Sequence, residues 1–217
     1  MPRRRVVTPD RIIQAAVAVA DREGLAKVSM RNVGHELGVE AMSLYHHVAG
    51  KDALLDALAD WVFTIIELPS PAGPWRDAMA ARASSARRAL ASHPWSLGLI
   101  ESRRSPGPAL LRHHDAVLGS LRAQGFTVTL AAHAFSVIDA YVYGFVLTEL
   151  NVPLDAGESV EDFVAEIRHA VPADEYPHLV EMIEEQIVCR RYACGDEFCY
   201  GLDLILDGLE RRRLTDQ

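Results

Sequence analysis

Apolar residues recur along nearly the whole chain at three- and four-residue spacing, and no stretch alternates β-branched with polar residues over the length of a strand. The first stripe is Ile12, Ile13, Ala16, Val17 and Ala20. Thr8 precedes it as an N-cap, Pro9 takes the first helical position, where a missing N–H does no harm, and Gly24 ends it. A short second stripe, Met30, Val33 and Leu37, is capped by Ser29 and broken by Gly38. A third short helix is expected from about Glu40 to Val48, ended by Gly50. From Asp52 a longer one carries Leu54, Leu55, Leu58, Trp61, Val62, Ile65 and Ile66. The run Pro69-Ser70-Pro71-Ala72-Gly73-Pro74 interrupts every helical pattern and reads as a linker. Beyond it the pattern predicts helices near 74–91, 94–102, 107–124, 127–150, 159–170, 174–190 and 196–213, punctuated by Pro94, Pro106, Pro108, Pro153 and Pro172. The expectation is an all-α chain. A three-helix helix-turn-helix domain, residues 1–51, precedes a larger helical ligand-binding and dimerisation bundle, residues 52–217, in which 52–68 is the connecting helix.

The segment Ser29 to Val48 has the layout of a helix-turn-helix for a geometric reason. Two short helices that cross steeply need a small residue at the crossing, supplied by Gly34. The turn needs a residue at ease with positive φ, supplied by Gly38. Val33, Leu37, Val39 and Leu44 are expected to face inward. Ala41, Met42, Ser43, Tyr45, His46 and His47 then face outward, as side chains that fit a major groove about 12 Å wide. By pattern alone the segment serves equally as an ordinary αα-hairpin.

Charge changes that balance. The net charge is −8, unpromising for a polyanion partner, but it is unevenly spread. Residues 1–51 hold eight Lys/Arg against five Asp/Glu, whereas the rest holds fourteen against twenty-five. A basic amino-terminal module on an acidic body fits nucleic-acid binding by that module alone. With 24 % charged and 49 % hydrophobic residues, the chain has an ordinary globular composition.

The run Leu44-Tyr45-His46-His47-Val48-Ala49-Gly50-Lys51-Asp52-Ala53-Leu54-Leu55 resembles the end of the recognition helix and the start of the fourth helix in the tetracycline-repressor (TetR) family. The resemblance reaches upstream through Leu37-Gly38-Val39 and Ser29-Met30-Arg31, covering roughly residues 8–62. Leu54-Leu55-Asp56-Ala57-Leu58-Ala59 is most similar to the tetracycline repressors themselves. Carried across, the resemblance implies that Tyr45 and His47 touch backbone phosphates and that Lys51, at a helix start, does the same. It also implies that Arg31 reaches the DNA and that Ala41, Met42 and Ser43 read bases, with Ser29 and His46 completing the set. Where tetracycline repressors carry glutamine and proline, this chain has Ala41 and Met42, which implies a different operator. The Arg3-Arg4-Arg5 cluster is either an arm on the DNA or a solvated terminus.

Specific reading of DNA by so small a module needs two half-sites about 34–36 Å apart, hence a two-fold dimer. Residues 127–150, with small Ala131, Ala134, Ala140 and Gly144, and residues 196–213, with Phe198, Leu202, Ile205 and Leu209, are candidates for its interface, or for the core of a monomer. A small-molecule effector is expected among Trp61, Trp95, Phe126, Phe135, Tyr141 and Tyr143, with Arg103, Arg104, His133 and Asp139 as polar points. His113-His114-Asp115 is read as a solvated face, because adjacent helical residues point about 100° apart. Cys189, Cys194 and Cys199 are read as helix-packing residues, with redox sensing as the alternative. No metal site, cofactor or catalytic set is expected, and no Gly-rich phosphate loop or nucleophile elbow occurs. The amino terminus lacks a signal-peptide core, and His133, Asp139 and Glu149 interrupt the longest apolar stretch, so the protein is expected in the cytoplasm, without membrane contact.

Overall fold

The computed structural model describes residues 7–70, 73–103, 105–151, 171–188 and 194–215, and among these no strand occurs. Arg3–Arg5, Arg104, Cys189 and the helix expected at 159–170 lie outside the described residues.

Local chemistry starts and stops the first elements. Helix α1 spans Pro9–Glu23; the Thr8 hydroxyl accepts from the Arg11 N–H at 3.4 Å and Gly24 ends it at φ 84°. Helix α2 spans Met30–Leu37, with the Ser29 hydroxyl accepting from Asn32 N–H at 3.2 Å. Gly38 closes α2 in the left-handed region, φ 69° and ψ 35°, where a β-carbon would be strained. The next segment, Ala41–His46, differs from expectation: it winds as a 3₁₀-helix instead of a longer α-helix. Six residues with no side-chain cap at Glu40 leave little to hold a wider turn.

Helix α3 (Lys51–Ile65) leads into the bundle of α4 (Trp75–Ser92), α5 (Trp95–Ser102), α6 (Pro108–Ala123) and α7 (Val128–Leu150). Helix α8 is shorter than its sequence pattern, Pro177–Met182, and continues as a π-helical turn to Val188. Helix α9 spans Cys194–Thr215. Two hydrophobic cores result. One gathers Ile12, Ala16, Val33 and Leu44 with Leu54 and Leu58 of α3; the other gathers Val62 and Phe63 of α3, and Ile66 just beyond its end, with α4, α6, α7 and α9. Helix α3 therefore belongs to both.

Helix α7 is long and apolar enough to cross a membrane by composition, yet it packs against α4, α6 and α9. Its Thr127 cap accepts from Leu130 N–H at 3.1 Å. Helix α9 turns Phe198, Leu202, Leu206 and Leu209 inward, leaving Leu204 exposed and Ile205 half-buried. Cys199 is exposed on α9 instead of packing a helix, because the inward row passes through its neighbour Phe198.

Candidate functional site

The helix-turn-helix is built around one close approach. A β-carbon on Gly34 would fall 2.9 Å from the Val39 carbonyl oxygen and 3.2 Å from the Ala41 amide nitrogen. Any larger residue there would push the recognition segment away from α2. Within that segment, residues three apart eclipse one another, as 3₁₀ geometry requires. Leu44 is fully buried with Ala41 half-buried behind it, while Met42 (72 % exposed) and Tyr45 (49 %) form an outward row. Arg31, His46, His47 and Lys51 are also exposed, and Ser29 and Ser43 half-buried. Lys51 is the first residue of α3, so its ammonium and the free amides of that helix start lie together.

A second feature lies in the bundle. A cavity of about 760 Å³ opens between α5, α6 and α7, with Phe63 of α3 in its wall. Leu97, Ile100, Leu110, Phe135 and Leu147 make most of the lining apolar, and Glu101, His114, Asp139 and Tyr143 add polar groups. Behind it, Arg82 of α4 is almost fully buried, ion-paired with Asp139, and donates from Nε to His113 Nε2 at 3.4 Å. His113 Nδ1 is buried without a hydrogen-bond partner among the described residues. Burial, then the Arg82 charge, then His114 push the His113 pKa down to about 3, so its ring is neutral. Burial chiefly lowers the pKa of His114 and raises that of Tyr143, where the Asp139 charge adds to the rise.

The two features touch through α3. Asp60 accepts from the N–H groups of Ala109 at 3.2 Å and Leu110 at 2.9 Å, capping α6. Asp56 holds Arg103 Nε at 2.6 Å. On the other side Asp21 of α1 accepts from Trp95 Nε1 at 2.6 Å and lies 2.8 Å from His93 Nδ1.

Residues 12–58 match the family described as "Bacterial regulatory proteins, tetR family", and residues 68–213 match "Tetracyclin repressor-like, C-terminal domain". The chain belongs to the TetR family. It is a DNA-binding transcriptional repressor of the helix-turn-helix kind. Among TetR-family relatives, the HTH-type transcriptional repressor DrrR1 of Streptomyces coeruleorubidus is 35 % identical over 94 % of this chain and 77 % of its own. The class C tetracycline repressor protein of Escherichia coli is 31 % identical over 94 % of this chain and 91 % of its own. Among solved structures, apo ActR from Streptomyces coelicolor superposes with a TM-score of 0.77 at 28 % identity, over 97 % of this chain and 98 % of that one. A second ActR structure, in complex with actinorhodin, gives 0.76 at 28 % identity, over 96 % of this chain and 99 % of that one.

Against this TetR frame, the effector residues expected from the sequence divide. Phe135, Asp139 and Tyr143 line the cavity. Trp61 and Trp95 do not; their rings stack on each other, centroids 6.3 Å apart, at the joint with α1. Arg103 is outside as well, because Asp56 holds it. His133 lies on the far side of α7, in a groove against α9. Phe126 packs on Trp75, and Tyr141 stacks on Phe198 and donates to its carbonyl at 3.0 Å. His113, expected on a solvated face, is fully buried. The sequence pattern does not single out Phe63, Leu97, Leu110, His114 or the Arg82–Asp139 pair as cavity groups. For Arg82 and His113 a signal exists in their spacing, since each lies in an inward row: Met79, Arg82, Ala86 and Ala109, His113, Val117.

Proposed function

We propose that this TetR-family repressor acts in the cytoplasm as a homodimer on a palindromic operator and releases it when a small molecule fills the cavity between α5, α6 and α7. The observation that carries the reading is the double membership of α3. Leu54 and Leu58 anchor it in the core of the DNA-reading module, while Phe63 forms cavity wall and Asp60 caps α6. A molecule that shifts α6 or Phe63 also pulls on the recognition segment. The actinorhodin complex of ActR supports an effector in this fold. In this reading residues 1–51 read the DNA and 52–68 connect. Tyr45, His47 and Lys51 hold phosphates, Arg31 and Ser43 hydrogen-bond in or beside the groove, and Met42 makes apolar contact, for instance with a thymine methyl.

The second copy docks on the α7–α9 face. Val137 (41 % exposed) and Leu204 (57 %) line an open, mainly apolar groove there with Leu130, Ile205 and Leu209. Packing two such helix pairs across a two-fold axis makes a four-helix bundle and sets the spacing of the recognition segments. The test uses the full chain, a duplex from its own promoter region and sedimentation. The wild type should sediment as a dimer and shift the duplex; Leu204→Glu should be monomeric, folded and unable to shift it. A dimeric Leu204→Glu protein with full affinity would overturn the interface, and a DNA complex that no cavity-filling molecule dissolves would overturn the effector.

A further inference from the structure

The cavity combines an apolar wall with polar atoms that the protein leaves without partners. Asp139 Oδ1 is fixed by Arg82, but Oδ2 makes no hydrogen bond among the described residues, although Asp139 is only 8 % exposed. The Tyr143 hydroxyl and the His114 ring, which line the same space, likewise have no hydrogen-bond partner among the described residues. All three line one open cavity and take no partner from the described residues, so a molecule bound there can supply their hydrogen bonds in place of solvent. Asp139 and Tyr143 are four residues apart on α7 and so present their polar atoms from one side of that helix.

The protonation states fix what that molecule must offer. The Asp139 carboxylate, ion-paired with Arg82, can only accept. Tyr143 stays protonated, since burial and the nearby negative charge raise its pKa, and can donate. Charge complementarity then narrows the class. Asp139 and Glu101 both line the cavity, Arg82 immediately behind it is ion-paired with Asp139, and His114 is shifted toward its neutral form. A carboxylate placed there would lose its hydration and meet like charge, with no cation among the described lining residues to pair with it.

Taking the cavity as the effector site, we propose that the effector is an apolar ring system without negative charge that carries a hydrogen-bond donor for Asp139 beside an acceptor for Tyr143. A phenol next to a ring ketone has that pattern, and about 760 Å³ is ample for a molecule of several fused rings. The arginine-rich turn after α5 does not recruit an anion through Arg103, because Asp56 already pairs with it.

The experiment titrates the full-length protein with a dihydroxyanthraquinone and with the same compound bearing a ring carboxylate, followed by calorimetry and by release of a bound duplex. The uncharged compound should bind at least about ten-fold more tightly than the carboxylate, a gap of about 1.4 kcal/mol. Asp139→Asn should narrow that gap. Because it also leaves Arg82 without a charged partner, Glu101→Gln at the exposed rim is the second variant and should narrow it without loss of fold. Tyr143→Phe should weaken the uncharged compound several-fold. Equal or tighter binding of the carboxylate, binding of neither compound, or a gap unchanged in both acid-to-amide variants overturns the proposal. A protein that fails to shift any duplex overturns the operator reading instead, so the two failures are distinguishable.

Discussion

Gly107 lies so close to Asp60 that a β-carbon there would fall 2.2 Å from the Asp60 Cγ. This close approach lets both Asp60 oxygens reach the first free amides of α6, so the helix that leaves the DNA-reading module also caps the start of the helix that walls the cavity. Gly107→Ala must therefore break the cap or bend the loop, and Asp60→Ala removes the cap outright. Loss of a helix cap costs about 1 kcal/mol, worth roughly 2–4 °C in a domain of this size. Both variants should show a melting temperature lowered by about that amount and weaker coupling between effector binding and DNA release. Unchanged release at unchanged effector affinity would show that the junction of α3 with α6 carries no signal.

Lys51 and the pair Ala41–Met42 should fail in different ways. Lys51→Ala is expected to weaken binding to every duplex and to flatten the dependence of log affinity on log salt by about 0.9, the change for one phosphate no longer neutralised. Replacing Ala41 and Met42 with glutamine and proline should instead change which duplexes are selected from a random library, because glutamine bonds adenine through two atoms. A Lys51→Ala protein with altered selection and an unaltered salt slope would put the ammonium somewhere other than on a phosphate.

Acid should destabilise the protein through His113. Its folded pKa of about 3 lies below the ordinary histidine value of 6.5, so the folded ring is neutral where the unfolded ring is charged. The unfolded state binds the extra proton, and stability falls as pH drops from about 6.5 toward 3, with a limiting slope of about 1.4 kcal/mol per pH unit for one group. Above that window the group contributes nothing to the slope. His113→Gln keeps an acceptor for Arg82 and cannot titrate. Urea unfolding at pH 7 and pH 5 should show a smaller acid loss for the variant, and parallel losses would mean that the ring is already protonated in the folded state.

Tetracycline with magnesium should leave the melting temperature unchanged. Tetracycline-binding members of the family hold the magnesium with a histidine just before the turn into the helix that corresponds to α6, helped by a nearby threonine, and residues 98–108 here contain neither. Micromolar stabilisation by the chelate would show that His114, or another group beyond that stretch, takes over the metal.

Local features of the fold are legible in the sequence because their causes are local. Thr8, Ser29 and Gly38 each act within four residues of themselves, and the structure has each doing what its side chain, or lack of one, dictates. The recognition segment reads as α-helical in the sequence, against the 3₁₀ winding observed, because nothing near Glu40 marks a tighter turn. The cavity is legible only along α7, where a charged residue and two aromatics interrupt an apolar helix. Trp61, Trp95 and His133, expected at the effector site, lie outside the cavity between α5, α6 and α7, because helical spacing fixes a residue's face and leaves open which helix that face meets. Arg103 misleads for the same reason: its partner, Asp56, is 47 residues away.

The sharing of α3 between two cores also limits how such regulators can be recombined. Leu54 and Leu58 must suit one set of neighbours and Val62 and Phe63 another, within a single continuous helix. A hybrid sensor that joins this reading head to a foreign sensing body at the linker that begins with Pro69 would carry the wrong stripe into the new body. A crossover between Leu58 and Val62 leaves each half of the helix with the neighbours it was selected to fit, and makes the middle of α3 the natural seam for building new biosensors from this chain.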